Sequence, residues 1–345
     1  MNYAGEPSSV SDMPKSVSSI FLSALCVFGF KHLSADEFEW KSEGGIEVLR
    51  FETELMSGLV VAQDHRDLGK GFGLHGVREL TYKEHDLNAP EPPVGAKRRH
   101  QGLLNLYRVY SSTETFGSLR DDQGQLKELE NGAQLFWPAS KERPVAITGT
   151  WKITGPAQID VQVEATPTKS IENFEILPAV YLPVHMTKAV YLEGQGGPVF
   201  SEVRPNPAIE NDLNYRFYPL GEEARSAQEN SGRIHSSWKW KSVVMKERAG
   251  LPIVVAEDET LQVLLMGNPD SVSAVCATPL PWEGNPEDWN SVQQHSALYF
   301  SLFGRDVEPG KTYRARMRLQ VIDRPEDTMK RHQQLLETFL EEAPK

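Results

Sequence analysis

From Asp36 onward, apolar residues recur at every second position far more often than at every third or fourth, the period of strands whose successive side chains point to opposite faces. In "PVAITGTWKI" Val145, Ile147, Gly149, Trp151 and Ile153 share one face, and "QIDVQVEATP" repeats the pattern with Ile159, Val161, Val163 and Ala165. "LQVLLM", "HSALYFSLFG" and "TYRARMRLQV" continue it. Turn-forming residues separate these runs at Gly44-Gly45, Pro90 to Pro93, Gly155-Pro156, Gly194 to Pro198, Gly284 to Pro286 and Pro309-Gly310. The spacing predicts an all-β, antiparallel protein of about a dozen strands or more. Strands do not alternate with helices and no glycine-rich phosphate loop follows a strand, which argues against nucleotide-binding α/β folds. One helix is expected, at the C-terminus: Pro325 suits a first turn, Glu326 and Asp327 favour its positive end, and Met329, Leu335, Leu336, Phe339 and Leu340 form an apolar stripe. The polar, turn-rich stretch 205–232 reads as a long excursion between strands, either a cleft wall or a plain surface loop.

The strand signal runs through 130–200 without a Ser- or Pro-rich hinge, so 36–324 is expected to be a single large sandwich with 325–345 as a helix packed on it. Residues 1–35 have the form of an export signal: Met13-Pro14-Lys15 is a short basic segment, Ile20 to Phe30 is apolar, and Ala35 precedes Asp36. Translation is then expected to start at Met13, and the mature protein to be periplasmic or secreted. The apolar run falls short of the roughly 20 residues that a membrane span needs.

Among the 345 residues, 39% are apolar and 24% charged, the proportions of a globular protein, and the net charge is −12. Removing 1–35 takes away Lys15 and Lys31 with Glu6 and Asp12, so the charge stays at −12. Lysines and arginines are scattered rather than clustered, so neither nucleic acid nor an anionic membrane is an expected partner. Without Cys26 the mature chain keeps one thiol, Cys276, in the alternating "SVSAVCATPL"; it is expected to be a buried strand residue and cannot form an internal disulfide.

Chemistry-bearing residues are histidines, arginines and tryptophans. "DHRDLGKGFGLHG" and "KEHDLN" gather His65, Asp67, His75, His85 and Asp86, groups that could act as acid and base near neutral pH or bind a divalent metal. Their spacing fits no zinc pattern, and no metal or cofactor is expected. In "LLNLYRVYS", strict alternation places Leu104, Leu106, Arg108 and Tyr110 on one face and Leu103, Asn105, Tyr107 and Val109 on the other. A strand apolar on both faces lies between two layers, where Arg108 either pairs with a carboxylate or holds a ligand. In "TYRARMRLQV" Arg314, Arg316 and Arg318 stand in a row opposite the core face; carboxylates on neighbouring strands, or anionic groups of a polysaccharide, could meet them. Trp238 and Trp240 of "RIHSSWKWK" share a strand face, and Trp282 and Trp289 fall in a loop, where indoles can stack on sugar rings.

"RRHQGLLNLYRVYSS", "PVAITGTWKITGPAQIDVQVEATP" with "FEILPAVYLPV", and "HSALYFSLFGRDVEPGKTYRARMRLQV" resemble the galactose mutarotase-like β-supersandwich proteins that process sugars. The resemblance covers about a quarter of the chain and is one of architecture. The mutarotase signature, an Asn-His pair followed by an aromatic and Asn-Leu, is absent; Asn105-Leu106 and His100 are a loose echo of it. The resemblance implies a sheet face that binds a mono- or oligosaccharide, with histidines for proton transfer in an epimerase-, mutarotase- or lyase-like reaction. His100 and His75 are the acid and base candidates, with His185 and His295 in reserve. Arg108, Tyr110, Trp238, Trp282 and Arg316 are the substrate-binding candidates. The alternative from another class is a noncatalytic sugar-binding or envelope scaffold protein.

Overall fold

A computed structural model of the chain describes residues 36–43, 46–64, 74–88, 102–205, 215–235, 242–279 and 296–342. The described residues begin with β1 (Glu37–Glu43), β2 (Ile46–Glu52), β3 (Met56–Asp64), β4 (Leu74–Tyr82) and β5 (His85–Asp86), which form a five-stranded sheet in sequence order. There follow β6 (Asn105–Tyr110), a 3-10 turn (Leu119–Asp121), β7 (Gln125–Leu129), β8 (Gly132–Trp137), β9 (Val145–Gly155), β10 (Gln158–Pro167), β11 (Ile171–Tyr181), β12 (Thr187–Leu192) and β13 (Val199–Glu202). Then come β14 (Tyr215–Pro219), α1 (Glu222–Glu229), α2 (Gly232–His235), β15 (Ser242–Val244), β16 (Ala249–Glu257), β17 (Leu261–Gly267), β18 (Val272–Ala277), β19 (Ala297–Val307), β20 (Tyr313–Asp323) and α3 (Thr328–Glu341). A nine-stranded sheet has the order β13-β12-β16-β17-β20-β10-β9-β8-β7, and a six-stranded sheet the order β15-β14-β18-β19-β11-β6. The pairings are antiparallel except β14 with β15.

The alternation in β9, β10 and β20 does what the sequence predicts, turning Val145, Ile147, Trp151, Ile159, Val161, Ala315, Met317 and Leu319 into one cluster that also takes Leu49, Val60, Val77 and Leu80 from the five-stranded sheet and Ile176, Val275, Phe300 and Leu302 from the six-stranded one. Trp137 and Trp151 are fully buried there, each contributing roughly 1.5–3 kcal/mol or more by leaving water. Gly149 keeps the face clear for them, since a Cβ on it would lie 2.6 Å from the Trp151 ring.

The six-stranded sheet carries buried side chains on both faces. Along β11, Ile176 and Val180 enter the shared core while Leu177, Ala179 and Tyr181 join a second cluster with Tyr110, Tyr215, Phe217, Ala274, Cys276, Ala297 and Tyr299. Cys276 is a buried strand thiol.

Within the stretch read as an excursion, β14 joins the six-stranded sheet between β15 and β18, and α1 and α2 cover part of its second face. At the C-terminus the helix starts later than Pro325 suggests. Asp327 is the N-cap, its carboxylate accepting from the Lys330 amide at 3.1 Å. Leu336 and Phe339 pack on Tyr191, Ile253, Val255, Leu264 and Met266 of the nine-stranded sheet, whereas Met329 is exposed. Among the described residues no helix is long and apolar enough to cross a membrane.

Candidate functional site

The chain around β6 departs from the simple alternation in two places. Leu104 sits at φ 56°, a left-handed conformation that is costly for leucine, and three contacts pin it. The Trp151 indole donates to the Leu104 carbonyl at 2.8 Å, the Leu106 amide donates to His75 Nε2 at 2.8 Å, and the Asn105 amide group donates to the Gly102 carbonyl at 3.0 Å. Farther on, the register against β11 slips between Leu106 and Arg108, so Tyr107 is bulged out. Leu103, Leu104, Leu106 and Val109 therefore all enter the shared core, while Tyr107 and Tyr110 turn to the second face. This corrects the expected grouping of Leu104 and Leu106 with Arg108 and Tyr110. Arg108 lies opposite Leu177 in the β11 register and so shares the second face with Tyr110.

That face carries four tyrosines in mutual contact. Ring centroids are 6.4 Å apart for Tyr107 with Tyr181 and for Tyr107 with Tyr299, 6.2 Å for Tyr181 with Tyr299, and 5.2 Å for Tyr215 with Tyr299. These distances fall in the range of edge and tilted aromatic contacts. Small side chains, Ala179, Ala274, Cys276 and Ala297, share the face with them. Tyr107 is half-buried, and two guanidinium groups lie against its ring, Arg108 at 5.1 Å and Arg120 at 4.5 Å from the centroid. Burial pushes the Tyr181, Tyr215 and Tyr299 hydroxyls well above the ordinary phenol value, with neighbouring tyrosines adding to it. They are neutral donors and acceptors near neutral pH rather than bases. Burial likewise raises the Cys276 thiol, which removes it as a nucleophile.

Beside the tyrosines, α1 and α2 are fastened to the same face by a buried polar network. Arg233 donates to Glu175 at 3.1 Å and to the Gln228 carbonyl oxygen. Gln228 Nε2 reaches Glu175, Ser273 and Ser301 at 3.2, 2.9 and 2.8 Å. The Arg233 guanidinium also covers the Phe217 ring at 3.5 Å.

The candidates named from sequence separate into distinct places. Arg108 and Tyr110 stand on the tyrosine face. His100, His295, Trp238 and Trp282 lie outside the described residues, as do His65, Asp67, Trp240 and Trp289. His75 has a different task from the one expected: it is 1% exposed, wedged edge-on between Trp137 and Trp151 at 5.0 and 5.5 Å, with Nε2 engaged by the Leu106 amide. Burial, helped by the Arg120 charge, pushes its pKa down to about 3, so it stays neutral and holds the start of β6 instead of exchanging protons with a ligand. His185 is on an exposed turn before β12, with Nε2 3.7 Å from the Asp258 carboxylate. His85 is exposed on β5.

Arg316 is a structural residue. It bonds Asp160 at 2.8 Å and the Phe339 carbonyl at 3.3 Å, and its guanidinium covers the Phe339 ring. Arg318 meets Asp160 at 2.5 Å and Glu342 at 2.6 Å, and Arg314 meets Glu164 at 2.8 Å. The arginine row is thus neutralised by carboxylates on β10 and at the end of α3. Among the described residues no group of three His, Cys, Asp or Glu side chains converges to hold a metal ion.

A second buried imidazole lies under α3. His332 Nδ1 accepts from the Tyr191 hydroxyl and Nε2 donates to Gln262, both at 2.8 Å, and burial with the nearby Arg331 charge lowers its pKa to about 4. Histidines with lowered folded-state values leave stability intact above 6.5 and remove it as pH falls toward 4 and 3. At about 1.4 kcal/mol per unit, each imidazole removes roughly 3–5 kcal/mol when fully titrated. Urea midpoints are therefore expected to drop already between pH 6.5 and 5, where ordinary carboxylates remain ionised; a flat profile there contradicts the neutral buried assignment.

No protein-family model matches the chain, and no curated protein matches it. Solved structures do. The fold is similar to that of a galactose 1-epimerase from Lactobacillus acidophilus NCFM (8% identity, TM-score 0.44, covering 84% of this chain and 99% of that one). It is also similar to a GalM/aldose epimerase homologue from C. elegans (10% identity, TM-score 0.45, 84% of this chain and 100% of that one). A heparan sulfate lyase, HepC, from Pedobacter heparinus has 10% identity and a TM-score of 0.41 over 84% of this chain and 37% of that one. These are likenesses in the galactose mutarotase-like layout of strands, at identities where residue roles do not carry over.

Proposed function

We propose that the protein binds a carbohydrate on the tyrosine-lined face of the six-stranded sheet, as an exported protein whose first residues are removed. The observation that carries this reading is the cluster of Tyr107, Tyr181, Tyr215 and Tyr299 with two guanidinium groups lying against its half-buried member. Aromatic faces receive the C–H faces of pyranose rings, and phenols and guanidinium groups receive hydroxyls. The phenols are neutral, and the side chains of His75, His85, His185 and His332 lie elsewhere, which favours binding over proton transfer by the described side chains. An epimerase- or lyase-like activity would have to draw its acid and base from elsewhere, with His100 and His295 as the remaining candidates.

Isothermal titration of the chain from Asp36 against neutral and acidic mono- and oligosaccharides tests the reading. At least one saccharide is expected to bind, and Tyr107→Ala to weaken it roughly tenfold, by loss of the ring contact. Absence of binding by any saccharide defeats the proposal. Adding the bound sugar in one anomeric form and following it by NMR separates a catalyst from a binder. N-terminal sequencing of protein recovered from outside the cytoplasm tests export.

A further inference from the structure

We propose that the saccharide taken by this face carries an anionic group, a carboxylate or a sulfate ester, and that Arg120 receives it. The inference rests on the reading of the face as a sugar site and concerns the class of sugar. Arg120 belongs to the 3-10 turn that follows Ser118, whose hydroxyl accepts from the Arg120 amide at 3.3 Å. Its guanidinium is held 4.5 Å from the Tyr107 centroid, with Nε shielded from water and donating to no acceptor.

Four half-buried or buried guanidinium groups elsewhere in the fold are matched: Arg143 by Asp122, Arg233 by Glu175, and Arg316 and Arg318 by Asp160. Among the described side chains no carboxylate forms an ion pair with Arg120. Two carboxylates close to it in the chain or on the face have other partners: Asp122 holds Arg143, and Glu175 holds Arg233 and Gln228.

Arg108 brings a second positive charge to the other contact on the same ring, at 5.1 Å. A neutral sugar entering here would displace water from Arg120 and return only weak acceptors. An anionic group returns charge-assisted bonds to a planar fork suited to carboxylate and sulfate oxygens. The charge is permanent, so the preference is set by geometry and not by pH.

The test compares three titrants on the intact chain: a uronate oligosaccharide, the neutral oligosaccharide made from it by carboxyl reduction, and a sulfated oligosaccharide. Each is titrated into the unsubstituted protein, Arg120→Gln and Arg120→Lys. One or both anionic sugars are expected to bind about tenfold or more tighter than the neutral one, and the stronger of the two identifies the group. Arg120→Gln is expected to erase that preference, weakening the anionic sugars far more than the neutral one, and Arg120→Lys to restore part of it. The guanidinium makes no hydrogen bond within the described fold, so Arg120→Gln is expected to melt at the same temperature without ligand. Equal binding of neutral and anionic sugars, or a preference indifferent to Arg120→Gln, overturns the inference and leaves the sugar reading standing. Binding of no saccharide takes down the sugar reading itself, and inorganic sulfate bound alone in an Arg120-dependent way reveals an anion site without a sugar.

Discussion

The Lys188→Met substitution is expected to raise the unfolding free energy by roughly 3–5 kcal/mol at pH 7, one of the two largest effects anticipated for a single change in this protein. Lys188 is on β12, opposite Ala256 of β16 and two residues before Val190, both of which belong to the shared core. Its side chain is completely buried, and Nζ finds no hydrogen-bond partner. Burial lowers its pKa from 10.5 to about 7. An amine whose folded value lies below its unfolded one weakens the fold wherever the unfolded chain binds the additional proton. That penalty is full below about pH 7, declines as pH rises and vanishes above 10.5. Methionine keeps the length of the stem and removes the ammonium. Urea unfolding of both proteins at about pH 7 and again at about pH 9.5 checks the claim, the gain shrinking to roughly 1–2 kcal/mol at the higher value. A gain independent of pH, or none at all, shows that Lys188 is solvated or paired.

The opposite result is expected at Glu175. Glu175→Ala strands the Arg233 guanidinium, 3% exposed, in an apolar layer and removes an acceptor of Gln228. Removing one partner of a buried pair costs about 3–5 kcal/mol, because the remaining charge has lost its compensation. The damage should be local as well as global. Asn173 also donates to the Ala227 carbonyl at 2.5 Å, but the interior of the α1–α2 attachment is the Arg233–Glu175–Gln228 triangle. Faster amide exchange across α1 and α2 is expected before the rest of the sheet is affected. The double substitution Glu175→Leu with Arg233→Met removes both charges and is expected to be less destabilising than Glu175→Ala alone. Chemical denaturation of the three proteins decides it; a double variant worse than either single change would mean that the network's geometry, rather than its charge balance, holds the helices.

These two positions mark where reading the chain stops. Lys188, Val190 and Leu192 alternate with Thr187, Ala189 and Tyr191 in "TKAVYL", and alternation sorts side chains into two sets without saying which set is inward. Here both faces of β12 are covered: Val190 enters the shared core and Tyr191 packs under α3. Glu175 had no visible partner in sequence because Arg233 and Gln228 come from a polar segment more than fifty positions away, at separations of 58 and 53 residues. Arg120 was equally hidden, since a short turn after a glycine has no periodicity to reveal which way its side chain points.

By itself the sequence determined the strand-dominated architecture, the inward faces of β9, β10 and β20, the buried thiol at Cys276 and the C-terminal helix, because burying one side of a pleated strand imposes a period of two that survives in the residue types. It also separated the arginine row of β20 from the core. The tertiary structure decided what that row meets, and Asp160, Glu164 and Glu342 answer it. It decided that His75 is a neutral wedge between two indoles rather than an acid or base. It also decided how β6 turns, since one residue at positive φ and one bulge reverse side-chain parity at no cost visible in composition. The tyrosine face arises from β6, β11, β14 and β19, strands far apart in the chain and brought together only by sheet pairing.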